Sequence, residues 1–157
     1  MREVIIADTS CFILLDKIGE LHLLQKVYGE ICTTKEIADE YEKPLPDWVL
    51  VKEVQDLVRQ EILCLQIDRG ESSAIALALE TSNCLLILDD AKARKIALLL
   101  HLRMTGTLGV LLKAKQMGFV PSIKPLLEKI QQTNFRLSVS VLAEALIVAK
   151  EAPQTML

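Results

Sequence analysis

Several acids in this chain fall where an α/β protein can put carboxylates to chemical use. Asp8 follows the apolar run Val4-Ile5-Ile6-Ala7, and Asp89-Asp90 follow Leu85-Leu86-Ile87-Leu88. Glu71 comes directly after Gly70 at a helix start, and Glu40 lies in a helical stretch opened by Thr33-Thr34. In open parallel sheets, ligands bind just outside the carboxyl ends of the strands. A sheet that gathers these acids confines several negative charges in a small volume, which is unfavourable unless they share protons or hold a cation. Hard oxygen ligands without histidine or thiolate suit magnesium or manganese. Taken singly, each acid has a simpler use. Asp8 and Asp90 are good helix caps, Glu71 is favoured by the helix dipole, and Glu40 sits among Glu36, Asp39 and Glu42 on a solvated face.

The elements that must position these acids are readable from pattern. Continuous apolar runs predict buried strands at 3–7 and 85–88, with shorter extended stretches at 31–32, 48–51 and 63–67. Helices are expected after Asp8-Thr9-Ser10 to Ile18, then over 21–28, 35–42, 54–60, 72–80 and 90–100. Three more follow, from Thr105-Gly106-Thr107 to Gln116, over 123–132, and from Ser138 to about residue 150. Strands alternating with helices through short connections predict an α/β fold, a three-layer doubly wound parallel sheet flanked by helices. No repeat or linker divides it. A single domain over 1–150 is expected, with 151–157 as a frayed tail.

The chain has 157 residues, 51% hydrophobic and 25% charged, which is globular composition with room for one core. Aromatic residues are only 4%, so stacking platforms for single-stranded nucleic acid are not its main device. Apolar runs are far shorter than the roughly 20 residues that span a bilayer. Asp8 interrupts the only N-terminal apolar stretch, so no secretory signal is read there, and no membrane partner is expected. The cysteines (Cys11, Cys32, Cys64, Cys84) form no C-x-x-C pair and only His22 and His101 accompany them, which argues against structural zinc. Reduced, mostly buried thiols in a cytoplasmic protein are the expectation.

In combination the acidic motifs resemble those of the PIN (PilT N-terminal) domain, most closely the PIN-like branch related to VapC-type toxins. A G-E-x-x-A-I-x-L-A segment is matched by residues 70–78, and a D-[DE]-x-x-A-R segment by Asp89-Asp90-Ala91-Lys92-Ala93-Arg94. A T-G-T-x-G-V-L segment is matched by residues 105–111, and Ile18-Gly19-Glu20-Leu21 before Leu23-Leu24 also fits. The resemblance spans about residues 3–140. It implies a metal-dependent ribonuclease that hydrolyses RNA phosphodiester bonds, the toxin component of a toxin–antitoxin pair. Carboxylates of that family hold divalent ions, Mg2+ or Mn2+, that activate a water for in-line attack. Carried over, Asp8, Glu40, Glu71 and Asp89 are expected to be metal ligands or to hold the ion's waters. Asp90 is an auxiliary acid that competes with Asp89 for the main role, and Thr9 or Ser10 orients a ligand. Many members of the branch lack the first aspartate; this chain keeps it.

The charge distribution leaves room for a polyanionic partner, although ordinary solvated helix faces are the simpler account of the charge counts alone. Residues 1–80 carry a net −8 and residues 81–157 a net +5, giving −3 overall. Lys92 and Lys95 share a helical face and are expected to meet RNA phosphates, whereas Arg94 points elsewhere and is a candidate buttress. The resemblance further implies an antitoxin protein partner and a homodimer; the apolar C-terminal helix, with Val141, Leu142, Ala145, Leu146 and Val148, either covers the core or offers the dimer or partner surface. The alternative is a catalytically silent PIN-like RNA- or protein-binding regulatory module. A receiver-like or haloacid-dehalogenase-like phosphoryl-transfer site fits less well, because strand one ends in Asp8 without a second nearby aspartate.

Overall fold

The computed structural model describes residues 2–152. Its centre is a parallel sheet of five strands: β1 (Val4–Ala7), β2 (Ile31–Thr34), β3 (Val49–Lys52), β4 (Cys84–Ile87) and β5 (Met104–Thr105), in the order β3-β2-β1-β4-β5. Ile5, Ile6 and Ala7 of β1, and all of β4, are buried, which is why both read as unbroken apolar runs: each has helices above and neighbours on both sides. The two are paired from Val4 against Cys84 to Ala7 against Ile87. That register sets Asp8 and the residues after β4 side by side. The backbone N–H of Asp8 continues the pairing by donating to Ile87 O at 3.1 Å.

Nine helices flank the sheet among the described residues: α1 (Thr9–Lys17), α2 (His22–Tyr28), α3 (Lys35–Tyr41), α4 (Leu57–Leu63), α5 (Arg69–Leu79), α6 (Ala91–Leu99), α7 (Thr107–Gln116), α8 (Lys124–Gln131) and α9 (Val139–Val148). Helix α5 is buried along nearly its whole length, from Gly70 to Ala78, and packs on β1, β2 and β4. Its small residues, Ser72, Ser73, Ala74, Ala76 and Ala78, allow that close approach. Thr34, Asp90 and Ser138 cap their helices as the sequence invites, and Asp56 and Asp68 cap two more, each accepting from the N–H three residues on.

Two expectations need correction. Residues 63–67 are not extended: Leu63 ends α4, and Leu65, Gln66 and Ile67 donate back to Ile62 and Leu63 carbonyls in a turn. The helix expected at 54–60 instead begins at Leu57, because Asp56 supplies its cap to Arg59 N. The fifth strand, β5, is only Met104–Thr105 and has too few residues for any periodicity to register.

The chain after α9 is held by one carboxylate. Glu151 accepts from Lys115 Nζ, Ser122 Oγ and the N–H groups of Ile123 and Lys124, which open α8. These donors draw its pKa down to about 2, against the opposing effect of burial. Residues 153–157, which belong to the expected tail, lie outside the described residues. All four cysteines are free, and Cys11, Cys32 and Cys84 are buried.

Candidate metal centre at the strand ends

Asp8 occupies the N-cap position of α1, yet its side chain makes no cap hydrogen bond. The simple capping role is therefore not where its carboxylate is used. It is 3% exposed. Burial, with Asp68, Glu40 and Asp89 nearby, raises its pKa to about 7, against a partial offset from the Thr9 N–H.

Glu40 reaches the same place from α3. Thr9 Oγ1 donates to Glu40 Oε2 at 2.7 Å, tying the residue after Asp8 to the third acid-bearing element. The space Glu40 occupies exists because residue 70 has no side chain. A Cβ on Gly70 would lie 2.5 and 2.7 Å from the two Glu40 carboxylate oxygens. The glycine before Glu71 is thus a cradle for a neighbouring acid rather than a flexible point.

Glu71 stands in the first turn of α5 with Oε2 buried and without a hydrogen-bond partner. Its pKa rises to about 9, first through desolvation and then through hydrogen bonding and charge from Asp68, with Asp90 and Asp8 adding repulsion. Asp68 escaped the sequence reading. It caps α5 by accepting from Glu71 N at 2.8 Å, and an acid three residues before a glutamate is a legible capping pattern.

Asp89 is held from both sides of its carboxyl. Thr107 N donates to Oδ1 at 2.8 Å and Thr107 Oγ1 to Oδ2 at 2.6 Å. Gly106 again makes room, since a Cβ there would stand 2.8 Å from Asp89 Oδ1. Thr107 lies within the T-G-T motif, but its grip on Asp89 depends on β5 lying beside β4 and carries no sequence signal of its own. Asp90 caps α6 by accepting from Ala93 N at 2.9 Å, whereas Asp89 accepts across the sheet end from Thr107, the first residue of α7. Arg94 is a buttress, though not against an acid: its Nη1 donates to Leu88 O at 2.7 Å. Lys92 and Lys95 are exposed on α6, and Ser10 is half-buried at the start of α1.

Asp8, Glu40, Glu71 and Asp89 thus face one region, and among the described residues none of them takes part in an ion pair. Also among the described residues, no three His, Cys, Asp or Glu side chains stand close enough to hold a metal ion as placed. The donor set nonetheless fits a hard divalent ion. It is all oxygen, mutually repulsive, and includes the unpartnered buried oxygen of Glu71.

A family model described as a PIN domain matches residues 4–151. The chain belongs to the PIN domain family. PIN domains are generally nucleases that act on nucleic acid and typically bind divalent metals, and the acids at the strand ends of this PIN domain suit that chemistry. No curated protein and no solved structure matches the chain. Among the described residues no helix is long and apolar enough to cross a membrane.

Proposed function

We propose that this PIN domain is a Mg2+- or Mn2+-dependent endoribonuclease in which Asp8, Glu40, Glu71 and Asp89 hold the metal. The observation that carries the reading is Asp8: a buried carboxylate at a cap position that caps nothing and is surrounded by other acids. Such an arrangement is costly unless the acids share protons or hold a cation. When bound, the ion supplies Lewis acidity and an activated water for phosphodiester hydrolysis. The chain's own part is positioning. Thr107 fixes the orientation of Asp89 through two hydrogen bonds, and Thr9 fixes Glu40 through one. Asp90 adds negative charge beside Glu71 while capping α6. Exposed Lys92 and Lys95 contact phosphates away from the scissile bond, and Ser10, two residues after Asp8 in α1, orients a ligand.

Toxin-type activity under antitoxin control is supported by the sequence resemblance at residues 70–78, 89–94 and 105–111, and belongs to a cytoplasmic protein. The homodimer is supported by the outer face of α4 and the following turn, where Leu57, Val58, Ile62 and Leu65 are 60%, 71%, 60% and 84% exposed. The second reading, a silent PIN-like binding module, is favoured by one observation: the acids do not close to ligand distance as placed.

Manganese calorimetry on the wild type and Asp8→Asn, beside cleavage of single-stranded RNA, decides between them. The nuclease reading expects saturable binding and cleavage, both lost in a folded Asp8→Asn protein. Absence of binding and of cleavage in the wild type at millimolar metal gives the silent module instead.

A further inference from the structure

Immediately beside Asp89 lies a cavity of about 660 Å³ that the metal centre does not use. Its size falls within the roughly 300–1,000 Å³ of small-molecule sites. Leu14, Met104, Ile130, Phe135, Leu137 and Val141 give it apolar walls, and Asp89, Arg94 and Thr105 supply its polar points. Resting on the nuclease reading above, we propose that this cavity receives one unstacked nucleobase of the RNA strand, next to the phosphate being cut, and so sets where the enzyme cuts.

Three observations point to a base rather than another occupant. First, Asp89 borders both the cavity and the acid cluster, so whatever fills the cavity lies beside the group held at the metal centre. Second, the Asp89 carboxyl in the wall disfavours a second phosphate or an acidic peptide, whereas a nucleobase is flat and uncharged. Third, the walls offer what reads single-stranded RNA: an aromatic face at Phe135 and a guanidinium at Arg94. Arg94 gives one of its five N–H donors to Leu88 O, which fixes its plane and leaves others for the acceptor edge of a base. Guanine, with O6 and N7 adjacent, matches that fork best.

Phe135 is carried by the segment between α8 and α9, which is itself held in place. Arg136 Nη1 donates to Gln131 O and Thr133 O, and Phe135 N donates to Thr133 Oγ1. The aromatic wall is therefore pre-positioned.

Two variants test this without touching the acids. Val141→Trp fills the cavity from partly exposed α9, and Phe135→Ala removes its aromatic wall. A random single-stranded RNA pool is cleaved with manganese and the new ends are sequenced. Separately, saturation-transfer NMR with guanosine 5′-monophosphate reads base contact without turnover. The wild type is expected to show one base enriched several-fold at a fixed position beside the cut. Both variants should still cut while losing that enrichment, and the nucleotide signal should vanish in Val141→Trp. Cleavage without positional enrichment, or enrichment unchanged in both variants, overturns the base site and leaves the nuclease standing. No cleavage with a nucleotide signal sensitive to Val141→Trp overturns the nuclease and leaves the site. Loss of both readouts in the wild type overturns both.

Discussion

Asp8 keeps its proton to a higher pH than an ordinary aspartate, and this has a sign that can be measured. Its pKa rises from 3.8 to about 7 in the folded protein, and that of Glu71 from 4.5 to about 9. Across that interval the folded chain binds protons that the unfolded chain has released, so metal-free stability falls as pH rises from about 5 to 8. Glu151, depressed to about 2, acts in the opposite sense but only in acid, outside this window. Thermal melts in chelator should therefore show Tm declining across that range, with a shallower decline in Asp8→Asn; a flat or rising profile in the wild type contradicts the assignment. A metal ion held as proposed must displace the same protons. Calorimetry of manganese binding near pH 6.5, in buffers of different ionisation enthalpy, should find about one to two protons released per ion, and none if the acids are already ionised. Gly70 gives a third residue-level test. Gly70→Ala drives a Cβ into the Glu40 carboxylate, the far end of an exposed side chain held by one hydrogen bond from Thr9, so the fold survives while Glu40 is displaced. Manganese affinity should drop about 10-fold or more with stability changed by less than about 1 kcal/mol; unchanged affinity removes Glu40 from the ligand set.

Elements place these residues through contacts that differ in how visible they are along the chain. Helix α3 is anchored where Thr34 Oγ1 accepts from Ile37 N at 3.1 Å and meets Ser73 Oγ at 2.6 Å. Because Ser73 donates to Gly70 O, Thr34 is the donor in that pair, and one hydroxyl links β2, α3 and α5. Thr34→Val keeps the shape but removes both bonds and should cost about 1–2 kcal/mol in urea denaturation; a cost near zero means the link does not hold α3. The cap was legible in Thr33-Thr34, as were β1 and β4 in their apolar runs, since each depends on neighbours in sequence. Asp8 and Asp89 were legible as candidates because acids directly after buried strands are costly to keep without a use, whereas Glu40 and Glu71, within helices, stood out through the family motifs. What pattern could not give was pairing at a distance. Thr107 on Asp89, Thr9 on Glu40 and the clearance above Gly70 join residues 18 to 31 apart. The turn at 63–67 was misread because a short apolar stretch suits a strand and a helix end equally.

At the scale of the molecule, the sheet order β3-β2-β1-β4-β5 places the change of winding direction at β1 and β4, where Asp8 and Asp89 emerge. The outer face of α4 and the turn after it expose four aliphatic side chains, Leu57, Val58, Ile62 and Leu65. Light scattering should return a dimer, converted to a folded monomer by Val58→Asp; a wild-type monomer at tens of micromolar removes the dimer. The same strand order also governs synthesis. A chain leaving the ribosome N-terminus first can dock β1, β2 and β3 and carry Asp8 and Glu40 early. It cannot seat Asp89 until β4 has inserted beside β1, and cannot lock it until Thr107 has emerged behind β5. For a protein whose proposed substrate is RNA, the growing polypeptide thus stays harmless to the RNA machine that makes it until two thirds of its length is out.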